Sequence, residues 1–123
     1  MAENTFTVEE GVTVTDEVMA TIAGLAASDV EGIAYIGNGL TRDNITKAGA
    51  SKLSKGIHII REEDGSITVR LAIVLKYGYE VPKVCHAIQD KVTTNVESMT
   101  GIKVKEVDVR IASIEVTDTG ARA

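Results

Sequence analysis

Apolar residues recur along this chain with two periods, and the places where one gives way to the other mark its elements. Val18, Ile22, Leu25 and Ala26 stand at i, i+4, i+7 and i+8, with Met19 beside them. That spacing predicts an α-helix with one apolar stripe. Thr15 precedes the run, and Asp16 and Glu17 occupy its first turn. A hydroxyl at the N-cap satisfies a free backbone N–H, and acids favour the positive end of a helix, so the helix is expected to start after Thr15. Continuing the stripe would bring in Asp29, so the helix ends near Ser28, with Gly32 as a breaker. A second helical run begins at Pro82, whose missing N–H costs nothing at the first helical position. Val81, Val84, Cys85, Ile88, Val92, Val96 and Met99 fall on one arc of about 120°, and Gly101 is placed to cap the end.

Alternation marks the strands. Ile67, Val69, Leu71, Ile73 and Leu75 form the clearest strand, and Ile57–Arg61 forms its hairpin partner across Glu62-Glu63-Asp64-Gly65. An Asp-Gly turn between such runs predicts an antiparallel pair with one buried face. Gly11–Val14 and Gly32–Ile36 read as shorter strands, the latter ended by Gly37-Asn38-Gly39. The last strand runs from Ile102 to about Val116. Its apolar phase slips between Val104 and Val107, which predicts a β-bulge near Lys105. Thr41–Gly56 reads as a mobile connection with room for one helical turn. The order is short β, α, β, β, β, α, β. It predicts an α+β fold, a two-layer sandwich in which two amphipathic helices pack on one face of a mainly antiparallel sheet. A single domain is expected over residues 11–116, between a flexible N-terminus, 1–10, and a flexible tail, 117–123. No Rossmann-type fingerprint is present.

Composition narrows the function classes. The 123 residues suit one domain, and 44% hydrophobic with 25% charged residues is ordinary for a soluble protein. Four aromatics, Phe6, Tyr35, Tyr77 and Tyr79, leave an aliphatic core. The formal net charge of −5 opposes binding to nucleic acid by the chain as a whole. One cysteine, Cys85, excludes an intramolecular disulfide. The longest unbroken apolar run, Leu71–Leu75, is far short of the roughly 20 residues of a membrane span. The N-terminal ten residues lack the basic start of a signal peptide, so a cytoplasmic location is expected.

Catalysis needs converging groups, and the candidates do not converge. Cys85 and His86 are adjacent, but neighbours on a helix project about 100° apart. Cys85 falls in the apolar arc, where it reads as an inert thiol, and His86 on the opposite face near Asp90. His58 reads as a surface or edge residue. Two histidines and one cysteine without ligand spacing make a poor metal site, and Glu62, Glu63 and Asp64 lack calcium-loop spacing. Asn95 is the polar residue inside the second helix's arc, where it reads as a structural hydrogen-bonding group. No catalytic, metal or cofactor residue is expected. Two candidate contact surfaces remain. Ala20, Ala23, Gly24 and Ala27 lie on the arc opposite the first helix's stripe, and small residues let another backbone approach, so they are a candidate partner surface. Arg42, Lys47, Lys52 and Lys55 concentrate positive charge in one segment, a candidate contact for an acidic partner or lipid headgroups.

Gly11-Val12-Thr13-Val14-Thr15-Asp16-Glu17-Val18, Ala20–Ala27, Val30-Glu31-Gly32-Ile33, Leu53-Ser54-Lys55-Gly56-Ile57, Val74–Gly78, Val81–Val84, Val96–Gly101 and Val104–Val109 follow one another along the chain. Taken in this order, these segments resemble the alkaline-shock or envelope-stress-response family, found mainly in Gram-positive bacteria. The resemblance spans about Gly11–Val116 and departs at Cys85-His86 and across Gly37–Ser54. It implies a non-enzymatic adaptor or scaffold in cell-envelope homeostasis, acting at the inner face of the membrane. It implies a protein partner, such as a small membrane-anchored protein, and self-association is a further expectation. No catalytic residue is carried over with it. The competing readings are a small thiol-dependent enzyme using Cys85 or a histidine, and an RNA-binding module, which the acidic charge and the lack of paired strand aromatics oppose.

Overall fold

A computed structural model describes residues 5–37 and 39–116. Its frame is the strand with the strongest alternation, which runs Ile67–Lys76 and is the fifth in chain order, β5. The others are β1 (Thr5–Glu9), β2 (Val12–Thr15), β3 (Ile33–Ile36), β4 (Ile57–Arg61) and β6 (Val104–Glu115). The helices are α1 (Asp16–Ser28), α2 (Ala50–Leu53) and α3 (Val81–Thr100), with a single 3-10 turn at Ile45–Lys47. This is the expected α+β class.

β5 has two different margins. Along one, β6 pairs in parallel over the whole strand, reached through α3. Along the other, β4 and β3 lie end to end, both antiparallel to β5, with Ile57 opposite Leu71 and Ile36 opposite Ile73. β3 and β4 thus read as one strand from which residues 37–56 loop out. The excursion leaves and returns at two glycines. Gly37 N–H donates to Ala72 O at 2.7 Å and Ala72 N–H to Gly56 O at 3.0 Å. Their backbones abut so closely that a Cβ on Gly56 would lie 2.7 Å from the Gly37 Cα. The predicted bulge is present, since the β5–β6 register skips Lys105 and, further on, Ala112.

Two sequence expectations are corrected. Residues 1–10 are expected to be loose, yet Thr5–Glu9 is a strand, paired antiparallel with β2 so that Phe6 faces Val14. The flanking glutamates obscure its own alternation, Thr-Phe-Thr-Val; Phe6 is buried and the Arg61 guanidinium lies 3.9 Å over its ring. Residues 1–4 and 117–123 lie outside the described residues. Thr41–Gly56 is anchored rather than loose, because Ile45 and Leu53 are buried and Leu40 beside them is buried too. Burying such side chains is favourable by about 1.5–3 kcal/mol each, which offsets the entropy of ordering the loop.

Ile67, Val69, Leu71, Ile73 and Leu75 are all buried beneath the helices. Thr15 caps α1 as expected, its hydroxyl accepting Val18 N–H at 3.1 Å. α3 buries Val84, Ile88, Val92 and Val96, while Val81 and Met99 at its ends are exposed. Gly101 ends it in the left-handed region, at φ 77°, with its N–H on Glu97 O. The buried polar group here is Thr100, not Asn95, which is only half-buried. Thr100 hydroxyl donates to Val96 O at 2.7 Å and accepts Ile102 N–H at 3.0 Å.

Candidate partner-binding groove

The small-residue face of α1 is not a free surface. Ala20, Ala23, Gly24 and Ala27 are buried, and a Cβ on Gly24 would lie 2.7 Å from Ile57 Cδ1 and collide with Ile45 as well. The close approach that small residues allow is taken up by the protein's own β4 and 3-10 turn. Conversely Val18, assigned to the buried stripe, is exposed, and Leu25 is half-buried. The helix is rotated from the expectation because its neighbours are backbone and isoleucine tips, which fit against alanine and glycine better than against branched side chains.

The basic segment is at the surface. Arg42 is tied to the end of α1 by an ion pair with Asp29 at 2.6 Å. Lys47, Lys52 and Lys55 are exposed. Lys52 and Lys55 bracket Leu53 and Ser54, which form one end of a groove of about 600 Å³.

That groove runs beside β4. Its floor is Ile57, Ile59, Ile60 and Ala20, and its far end carries Thr15, Asp16 and Glu17. The phase of β4 decides what its backbone offers. Gly56 O accepts from Ala72, and Glu62 N–H donates to Ser66 O at 2.9 Å, so even-numbered residues face β5. In an antiparallel ladder alternate residues turn their N–H and C=O to opposite sides. Ile57 and Ile59 therefore aim their backbone groups into the groove. Asp16 adds a carboxylate oxygen with no hydrogen-bond partner, 3.7 Å from the Arg61 guanidinium. The site thus combines a strand edge, aliphatic walls and an acidic end, the features that receive an extended polypeptide by strand addition. One sign of it is visible in the chain's pattern. Ile59-Ile60 breaks the alternation of β4 and puts an isoleucine beside His58 on the outward face.

The reactive candidates are not brought together. Cys85 is half-buried on α3, and burial pushes its thiol up, away from thiolate. His86 is exposed, as is Asp90, and the ion pairs among the described residues do not join them. His58 lines the groove, on the opposite side of the sheet from the α3 helix that carries Cys85. Among the described residues no three His, Cys, Asp or Glu side chains cluster as a metal site, and no helix is long and apolar enough to cross a membrane.

The molecule is therefore a two-layer α+β domain in which, among the described residues, no strand pairs with the outer edge of β4. Residues 4–116 match the alkaline shock protein 23 family, of cell envelope-related function, and the chain belongs to that family. It is 32% identical over 103 residues to the uncharacterized protein Spy1535 of Streptococcus pyogenes, covering 84% of this chain and 78% of that one. It is 30% identical over 104 residues to the uncharacterized protein YqhY of Bacillus subtilis, covering 85% and 76%. A stress response regulator gls24 homolog of S. pyogenes is 26% identical over 107 residues, 85% of this chain and 58% of that one. Among solved structures, a zinc form of the MamM CTD superposes with a TM-score of 0.46 at 16% identity, over 85% of this chain and 89% of that one. The resemblance read from the sequence segments is therefore correct at the level of the family.

Proposed function

We propose that this protein is a non-enzymatic adaptor of cell-envelope homeostasis and stress response, and that the groove beside β4 receives an extended segment of a protein partner at the inner face of the membrane. The observation that carries the reading is the pairing of outward backbone groups at Ile57 and Ile59 with an aliphatic floor. The partner segment alternates apolar side chains toward that floor and places a basic residue against Asp16 and Glu17. Lys52 and Lys55, at the other end, suit an acidic neighbour, whether on the partner or among anionic headgroups.

The test is site-directed photo-crosslinking in the native host, with a photoreactive residue at His58 and a control at Thr94 on the exposed side of α3. The expected result is an adduct to a membrane-fraction protein from position 58 alone. An Ile60→Asp substitution should remove it and reproduce the envelope-stress sensitivity of a deletion. Normal envelope-stress tolerance in a folded Ile60→Asp strain would overturn the proposal. A Cys85→Ser strain with the deletion phenotype would favour the enzyme reading instead.

A further inference from the structure

β6 forms the other margin of the sheet, and among the described residues no strand pairs with its far side. Its backbone phase follows from the register. Ile67 N–H donates to Lys103 O and Tyr77 N–H to Glu115 O. A parallel ladder uses alternate residues of each strand, so Glu106, Asp108 and Arg110 turn their backbone groups to β5. Those of Val107, Val109 and Ile111 turn outward. The Gln89 side chain, donating from α3 to Val107 O at 3.0 Å, fits this phase. Bulges at Lys105 and Ala112 bracket the stretch and leave Glu106–Ile111 regular.

We propose that this edge pairs antiparallel with the same edge of a second copy of the chain, about a twofold axis at Val109. The hydrogen-bonded pairs are then Val109 with Val109, and Val107 with Ile111. Asp108 stands directly opposite Arg110 of the second copy, and Arg110 opposite its Asp108. Opposite charges in facing positions stabilise a ladder and like charges oppose it. An axis at Asp108 would set that carboxylate against itself, and an axis at Arg110 would do the same to the guanidinium. An axis at Val107 would set Glu106 against Asp108, and one at Ile111 would run the pairing into the bulge at Ala112, so charge and regularity together select the Val109 register.

Two features of the single chain fit this occupant. Val109 and Ile111 are half-buried on the helix-facing side, so pairing covers apolar surface left partly in water. On the open face Glu106 and Asp108 crowd together, and the Asp108 carboxyl, by a hydrogen bond and by like charge, raises the pKa of Glu106. Arg70 reaches Asp108 at 3.4 Å with both side chains well exposed, and a second guanidinium would relieve the crowding further. Gln89 does not block the pairing, because a carbonyl oxygen has a second lone pair for the Ile111 N–H. The β4 margin is less suited to a second copy, since Arg61 reaches across to Thr5 O and lies over Phe6, placing the β1–β2 hairpin at one end of it.

Sedimentation of the purified chain tests this without any other protein, so its outcome is independent of the adaptor proposal. A dimer is expected between about 1 μM and about 1 mM, the range where a modest interface registers. Arg110→Asp should weaken it by about tenfold or more by setting two aspartates opposite each other. The double variant Asp108→Arg with Arg110→Asp should restore it. Hydrogen exchange should show concentration-dependent protection at Val107, Val109 and Ile111 amides but not at Asp108 or Arg110, already bonded to β5. A monomer throughout, a dimer indifferent to Arg110→Asp, a double variant that fails to recover, or protection at Ile57 and Ile59 instead would each overturn the proposal.

Discussion

Replacing Gly56 by alanine gives the sharpest test of how the sheet is assembled. Gly56 does not have a positive φ, so on local grounds alanine should be harmless there. It should even stabilise by about 0.4–1 kcal/mol through the unfolded chain. The tertiary contact reverses the sign. The new Cβ would lie 2.7 Å from Gly37 Cα and 3.0 Å from Gly37 N, both backbone atoms, where carbon atoms prefer about 3.5–4.0 Å. Neither segment can yield freely, because both are hydrogen-bonded to Ala72. Overpacking of this kind costs about 1–3 kcal/mol, so the net loss should be about 1–2 kcal/mol after the entropic gain. For a domain of this size that lowers Tm by roughly 4–10 °C. Gly49 is the control, with nothing within 4 Å of its added Cβ and no positive φ. Gly49→Ala should change stability by no more than about 0.5 kcal/mol. Urea and thermal unfolding of the two variants side by side would decide. If Gly56→Ala is as stable as the parent, or Gly49→Ala loses as much, β3 and β4 do not meet end to end as described.

Other outcomes follow from single contacts. Thr15→Ala removes the acceptor for Val18 N–H and should cost about 1 kcal/mol in urea unfolding. Thr100→Val leaves Ile102 N–H buried without its partner and should cost about 1–3 kcal/mol. Hydrogen bonds from the Ser66 hydroxyl and backbone N–H hold Asp64 below its ordinary 3.8. A depressed carboxyl contributes stability above its unfolded pKa and loses it as pH falls through the folded one. Ser66→Ala should therefore move the Asp64 titration, followed by carboxyl NMR, back toward 3.8. The Cys85 thiol, raised by burial, should alkylate at neutral pH more slowly than a free thiol; modification as fast as that of a free thiol would count against its structural role.

Most elements were legible because local chemistry sets them; the strand Thr5–Glu9 and the anchoring of Thr41–Gly56 were not, because tertiary pairing and burial hold both. The Thr15 cap, the alternation of β5, the Pro82 start and Gly101 stop of α3, and the slip at Lys105 are short-range features, each settled within a turn or a few residues. The groove and the free edges were not legible, since they depend on which strands meet. Nothing local says that β6 returns parallel to β5, or that β3 and β4 share one margin of it. The buried face of α1 escapes the pattern for the same reason. Hydrophobicity favours Val18 over Ala23, but the sheet and the anchored loop approach too closely for a branched side chain, and Ala23 is the one with no exposed surface. Periodicity and capping, both written in neighbouring residues, are therefore enough to set most elements and the apolar faces of β5 and α3. The open backbone edges and the enclosed small residues emerge only on folding, because both follow from contacts between segments far apart in the chain.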